Sequence, residues 1–344
     1  MNETTIVTIG ARVLGERLPP GWAQSVSPGN ARQRGQIDAV LTLIGPDGTQ
    51  ARVMVEAKAR VFPRDAPELK RRLEGFSADP AIVMTDFLSP SSRRRLKEEG
   101  LNYLDLTGNV RLRLSRPGLF IETEGAITDP SPAGKVGRSL RGGKAGRIVR
   151  ALCDFPPPLA ITELATKAGV DVSYASRLVE WLAHEGALTR TRRGPVESVD
   201  RARMIRRWAD DYSVLKSNDA RSFLDPRGVE NLLRSLPKIR FRYAVTGSFA
   251  ANRLAPVAPA RLAMVYVDDP DEAASALQLT PTETGANTML LAPFDNVVFD
   301  RAREDSGVTY VAPSQAAVDL LTSPGRSPAE GEAVLEWMAR NQDQ

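Results

Sequence analysis

Three features of this 344-residue chain predict a multidomain α/β protein. Strand-length apolar runs and amphipathic helical stretches alternate in the first third and again in the last third. A short all-helical stretch lies between them. A segment rich in Pro, Ser and Gly, whose later charges are all basic, leads into that helical stretch. This length suits ~2–3 domains, and 42% hydrophobic residues can supply their cores. The predicted divisions are residues 1–127, a linker at 128–145, a helical domain at 146–200, and a last domain at 201–344.

The first domain opens on a helix. Ile6, Ile9, Val13 and Leu14 share one face, and Pro19-Pro20-Gly21 stops it. Strands at 37–44 and 51–57 flank the turn cluster Gly45-Pro46-Asp47-Gly48. A helix is predicted at 66–76 and a strand at 81–85. Ser89-Pro90 starts another helix, with Pro at its favoured first position, running to Gly100. Strands at 103–106 and 110–114 flank the turn Thr107-Gly108-Asn109.

One constellation in this domain carries chemistry. Asp38 begins one strand, and Glu56-Ala57-Lys58 lies on the next. Positions i and i+2 of a strand share a face, so Glu56 and Lys58 project together. Hairpin pairing can bring Asp38 to the same place. Two carboxylates can hold Mg²⁺ through oxygen. A lysine can orient water or stabilise phosphate charge. This pattern, with its order of helices and strands, resembles the PD-(D/E)XK nuclease fold, a restriction-endonuclease-like α/β domain. The resemblance implies Asp38, Glu56 and Lys58 as catalytic residues, with Asp38 and Glu56 as Mg²⁺ ligands, if the domain cuts DNA. Such folds also serve as DNA-binding or structural modules, and a cross-strand charge pair on a solvated face is the competing reading of Glu56 and Lys58. Enzymatic activity stays open at this point.

The phrase 102–114, NYLDLTGNVRLRL, and the helix before it resemble the AbiEi-type family of bacterial regulators, the antitoxins of type IV toxin–antitoxin systems and their relatives. That resemblance covers residues 82–114 most specifically. It implies a DNA-binding transcriptional regulator with a cognate toxin as a candidate partner. The shortest AbiEi antitoxins place their winged helix first, whereas here a domain precedes it.

The linker begins with the breaker cluster Asp129-Pro130-Ser131-Pro132-Ala133-Gly134. Lys135, Arg138, Arg141, Lys144, Arg147 and Arg150 follow, with no acidic residue from 135 to 151. It reads as a basic arm that tracks phosphates, with salt-dependent affinity. A flexible tether is the plainer alternative.

The helical stretch, 148–193, reads as a winged helix-turn-helix. A first helix at 147–155 is stopped by Pro156-Pro157-Pro158. A second at 162–168 ends at Gly169, where a left-handed residue is wanted. Asp171 can cap a third, 172–185, on which Ala175, Leu178, Val179 and Leu182 face inward. Ser173, Tyr174, Ser176 and Arg177 occupy the opposite face. Gly186 ends the helix, and a wing carries Arg190, Arg192 and Arg193. In this arrangement the third helix enters the major groove. Hydroxyls, a Tyr and an Arg can reach phosphates and base edges. The expected DNA contacts are therefore Ser173, Tyr174, Ser176, Arg177, Arg190, Arg192, Arg193, Arg138, Arg141 and Lys144. A homodimer on a palindrome is the geometric default, and protein–protein contact is the competing use of such a core.

In the last domain a helix carries Arg201, Arg203, Arg206 and Arg207 and continues through Trp208 and Tyr212, and another is predicted at 229–236. A strand at 242–245 leads to Thr246-Gly247-Ser248, a helix at 249–254, and a strand at 261–267 ending in Asp268-Asp269. This order resembles the start of a nucleotidyltransferase fold. In that family a Gly-Ser turn holds phosphates and an Asp-x-Asp pair on the next strand binds Mg²⁺. Arg261 and Ala263 stand at those strand positions, and neither can ligate Mg²⁺. The expectation is a nucleotidyltransferase-like domain without that activity. Short strands at 289–292, 297–299 and 308–311 and helices at 315–321 and 329–340 complete it. Gln315 and Asp319, one helical turn apart, are read as structural.

Composition limits the rest. With only Cys153 and His184, neither an intrachain disulfide nor a Cys/His zinc site can form. The N-terminus lacks a signal-peptide pattern, and no run approaches ~20 apolar residues, so a cytoplasmic protein without membrane spans is expected. Net charge +4 and pI about 9.3 suit nucleic acid. The combined expectation is a sequence-specific, double-stranded-DNA-binding transcriptional regulator. Binding would need no cofactor, and Mg²⁺ would enter only with cleavage.

Overall fold

A computed structural model describes residues 1–29, 37–74, 80–130, 139–191 and 194–341. The chain divides into two compact units. One comprises Met1–Gly137 and His184–Gly186, the other Arg138–Ala183 and Ala187–Gln344.

The first unit is a seven-stranded sheet between helices. Its elements are α1 (Glu3–Gly15), β1 (Ala23–Pro28), β2 (Ala39–Ile44), β3 (Gln50–Lys58), α2 (Ala66–Glu74), β4 (Ala81–Thr85), α3 (Pro90–Glu98), β5 (Asn102–Asp105), β6 (Val110–Leu114) and β7 (Leu119–Thr123). The strands lie in chain order. β1, β2 and β3 form an antiparallel meander; β4 and β5 join parallel to β3. β6 and β7 are antiparallel additions. Ile6, Val7 and Leu14 of α1 pack with Leu41, Val53, Val55 and Met84 on one face of the sheet. Leu69 and Leu73 of α2 and Leu96 of α3 pack with Val83 and Tyr103 on the other. Alternation along β3 therefore sends Val53 and Val55 toward α1, and Met54, Glu56 and Lys58 toward the α2 side. β1 was not apparent in the sequence because its residues are mostly exposed and show no apolar alternation.

The phrase 102–114 forms a buried polar knot. Asp105 is fully buried and accepts hydrogen bonds from the N–H groups of Leu88, Thr107 and Asn109, the Thr107 hydroxyl and the Asn109 amide. Asn109 Oδ1 accepts from Arg93 at 2.6 Å and from Gly125 N at 2.8 Å. The motif thus ties α3, β5, β6 and the segment after β7 together.

The second unit begins with α4 (Gly143–Asp154), α5 (Ile161–Ala168) and α6 (Val172–His184), then the ribbon β8 (Leu188–Arg190) and β9 (Val196–Val199). It continues with α7 (Arg201–Ala209), α8 (Val214–Ser217), β10 (Asp219–Leu224), α9 (Val229–Ser235), β11 (Tyr243–Thr246), α10 (Gly247–Ala251), β12 (Ala263–Val267), α11 (Pro270–Leu277), β13 (Thr280–Pro281), β14 (Thr288–Ala292), β15 (Arg303–Asp305), β16 (Val308–Tyr310), α12 (Pro313–Leu321) and α13 (Ser327–Arg340). The sheet order is β13-β10-β14-β12-β11-β16-β15. The helix-turn-helix shares one continuous core with this sheet: Ile148, Leu164 and Leu178 belong to the same cluster as Trp208, Tyr266 and Val318. The boundary read near residue 200 therefore falls inside a single packed unit.

Two sequence expectations change here. Residues 297–299 are not a strand. Asp295 caps Val297 N at 3.0 Å and starts a 3₁₀ turn, Asn296–Phe299. Arg147 and Arg150, counted with the basic arm, turn into the unit instead. Arg147 Nε lies 2.9 Å from Asp295. Arg150 is buried and donates to Asp154, Gln315 and the carbonyls of Val297 and Asp300. Positions i and i+3 of a helix share a face, and on α4 that face meets the C-terminal half of the unit. Among the described residues no helix is long and apolar enough to cross a membrane.

Candidate nucleic-acid interface

The reading head is built by three short helices. Gly169 closes α5 with φ +59°, and its N–H reaches the carbonyls of Ala165 and Thr166. That left-handed residue lets the chain reverse within three residues, Gly169 to Asp171, and start α6. Ala175, Leu178, Val179 and Leu182 are buried against the neighbouring helices. Ser173 and Arg177 are exposed, and Tyr174 and Ser176 are half-buried. The four polar residues anticipated from the sequence thus occupy one end of α6, around the buried Ala175.

From Ser139 onward the basic arm runs beside this helix. Ser139 lines a hollow of about 220 Å³ with Tyr174, Arg177 and Leu178. Leu140 is buried, and its N–H donates to Asp211 at 2.8 Å, which anchors the arm. Arg141 and Lys144 are exposed. Lys144 stands 4.0 Å from Asp171 in a pair that is open to solvent on both sides, so it is held only weakly. Arg138, Arg192 and Arg193 lie outside the described residues.

Arg190 behaves differently from its expected role. Its side chain is 9% exposed and lies 3.9 Å from Glu180 of α6. It links the first wing strand to the third helix rather than projecting outward. The sequence placed it at the wing but gave no sign that Glu180 would draw it back. α7, which follows the wing, directs its arginines to protein partners as well. Arg206 pairs with Glu332, and Arg207 pairs with Asp211 and lies over the Trp181 ring.

A second candidate site lies in the first unit. β2 and β3 pair with Ala39 opposite Val55, so Asp38 falls opposite Glu56. Asp38 Oδ2 accepts from Ala57 N at 2.7 Å. Glu56 is buried; its Oε1 lies 3.0 Å from Arg72 of α2 and 3.5 Å from Lys58. Its Oε2 is buried and has no hydrogen-bond partner among the described residues. Burial pushes the Glu56 carboxyl above the usual range; the Asp38 charge adds to this, and Arg72 and Lys58 oppose it. The three residues read from sequence are thus brought together, and Arg72 is the one the sequence reading missed. Its only signal was its place on the helix that crosses from β3 to β4. Two carboxylates match the number Mg²⁺ takes from protein, and the unpartnered Oε2 fits a ligand atom. Arg72 already supplies positive charge to the other oxygen. Among the described residues no third Asp, Glu, His or Cys joins them.

The Gly-Ser turn carries no comparable chemistry. Gly247 has φ +66°, and Thr246 Oγ1 donates to buried Asp319 at 2.7 Å. Asp268 pairs with Arg242, and Asp269 caps α11. Both carboxylates at the end of β12 are therefore engaged in structure, and Ala263 is buried within the sheet.

Residues 143–192 match the family model of the IclR helix-turn-helix domain. The match spans α4 through the first wing strand and supports a DNA-binding transcriptional regulator. No curated protein and no solved structure matches the chain.

Proposed function

We propose that this protein is a sequence-specific regulator of transcription that reads double-stranded DNA with α6. One observation carries the reading: the helix-turn-helix buries one side of α6 and leaves Ser173, Tyr174, Ser176 and Arg177 at its N-terminal end, in the stretch that matches a helix-turn-helix family. Docked in a major groove, those side chains meet base edges and phosphates. Arg141 and Lys144 then face the flanking backbone, and Arg138, Arg192 and Arg193 extend the basic surface by their place in the sequence. Occlusion of a promoter by a homodimer is the simplest mechanism. The antitoxin-like refinement, with a cognate toxin as partner, rests on the phrase 102–114. The knot around Asp105 supplies a structural reason for that phrase.

The test is a gel shift of duplex fragments without Mg²⁺, with fragments chosen by genome-wide mapping of bound DNA. Replacing Arg177 and Arg192 by Ala together should weaken the shift by about 1–3 kcal/mol. Unchanged binding would remove α6 and the wing from the role of reading head.

A second reading, a Mg²⁺-dependent DNA nuclease, is favoured by the register that sets Asp38 opposite Glu56. Bound Mg²⁺ would supply an activated water and charge stabilisation. Asp38 and Glu56 would hold it, and Lys58 would face the scissile phosphate. The order helix, antiparallel meander, crossover helix and parallel strand supports the nuclease-like fold. Incubation of plasmid with Mg²⁺ or Mn²⁺ tests cleavage. Nicking that persists in Glu56→Ala would exclude this site as its source.

A further inference from the structure

Within the second unit a cavity of about 310 Å³ lies where the helix-turn-helix meets the C-terminal half. Arg201, Arg301 and Arg303 line it, with Cys153, Asp154 and Trp337. Its size is near the lower bound for small-molecule sites, ~300 Å³.

Three of the residues that line this cavity are arginines. Asp154 is the only acid among the lining residues, and it is already engaged. Its Oδ2 lies 3.0 Å from Arg150 Nε, and its Oδ1 accepts the Ser314 hydroxyl. Burial pushes the Cys153 thiol up, so that wall stays neutral. Arg301 is held with φ +54°, a left-handed backbone that non-glycine residues seldom adopt, and its guanidinium lies 4.8 Å from the Phe155 ring centroid. Met338 and the half-buried Trp337 supply an apolar side.

We infer that this cavity binds a small organic dianion, its paired oxygens held by Arg301 and Arg303 and its carbon body set against Trp337 and Met338. Guanidinium groups suit carboxylate and phosphate oxygens alike, because both accept paired N–H donors. A phosphate monoester and a dicarboxylate share that chemistry. The cavity walls come from α4 and from the C-terminal half, so an occupant would bridge the reading head and the sheet.

Isothermal titration calorimetry on the full chain tests this, with phenyl phosphate and succinate as probes and phenol and succinamide as uncharged controls. One dianion should bind at one site per chain, and which one does so distinguishes the two sources. Arg301 and Arg303 are exposed, so the double Arg301→Ala, Arg303→Ala variant should keep its melting temperature while losing at least about tenfold in affinity. Three results would each overturn the inference: no binding of either dianion, equal binding of the uncharged control, or unchanged affinity in the double variant. Displacement of the bound probe by a DNA duplex would reassign the arginines to nucleic acid, and so would also overturn it.

Discussion

Two buried carboxylates, Glu56 in the first unit and Asp319 in the second, are accommodated in opposite ways. Asp319 accepts from the hydroxyls of Tyr212, Tyr266 and Thr246 and from the Gln315 amide, at 2.7–3.1 Å. Both of its oxygens are engaged by neutral donors. Glu56 instead meets two cations at Oε1, and its Oε2 has no hydrogen-bond partner among the described residues. Burial raises the pKa of both, and takes Asp319 to about 6. A carboxylate satisfied on all sides by the fold holds elements together. One with a spare oxygen beside a second carboxylate is built like a site, even where an arginine already balances its charge. The comparison separates a structural acid from a candidate functional one by their partners, where burial alone would treat them alike.

The largest effect should come from Asp319→Ala. It strands three hydroxyls and an amide in the core, and should cost about 3–5 kcal/mol in urea unfolding. A loss below about 1 kcal/mol would mean that the donors find other partners. The next effect is on pH. The folded pKa of Asp319 lies above the carboxylate's unfolded value, so the native state binds the proton more tightly. Its contribution is present at low pH and is lost as pH rises from about 4 through about 6, by on the order of 3 kcal/mol. Denaturant midpoints measured across that range should fall with pH, and the slope should flatten in Asp319→Asn. A wild-type midpoint that rises with pH, with the same slope in Asp319→Asn, would contradict the assignment. Glu56→Gln should be milder, within about 1 kcal/mol by thermal melting, because the amide oxygen can still accept from Arg72. A much larger loss would make Glu56 as structural as Asp319. The smallest effect is at the reading head. Lys144→Ala should leave stability within about 0.5 kcal/mol, yet lower the slope of log affinity against log salt by about one.

Much of the helix-turn-helix was legible in the sequence. The spacing of Ala175, Leu178, Val179 and Leu182 and the position of Gly169 depend on helical period and backbone freedom, which are local. The strands β4 and β6 were legible for the same reason, β4 as a short apolar run and β6 as an alternation of apolar and basic residues after the Gly108-Asn109 turn. β1 was hidden because an exposed edge strand needs no apolar pattern. β10 was hidden because five of its seven residue pairings reach more than sixty residues along the chain. In the candidate sites, Asp38, Glu56 and Lys58 could be paired from strand alternation and one hairpin. Arg72 could not, since it arrives on a crossover helix. Arg147, Arg150 and Arg190 looked like the other basic residues of the arm and wing. Their partners, Asp295, Gln315 and Glu180, became visible only when the chain was folded.

Local sequence already dictates where helices turn, which face of α6 is apolar, and that Glu56 and Lys58 share a side of one strand. These follow from steric preference and periodicity over a few residues. The tertiary structure alone decided which arginines remain at the surface and which neutralise buried acids. It also decided that the reading head shares a core with the C-terminal sheet, and that three arginines from two distant parts of the chain line one cavity. Charge and burial are properties of neighbours brought together from distant parts of the chain. Equivalent residues in a sequence therefore acquire different chemistry once the chain has packed.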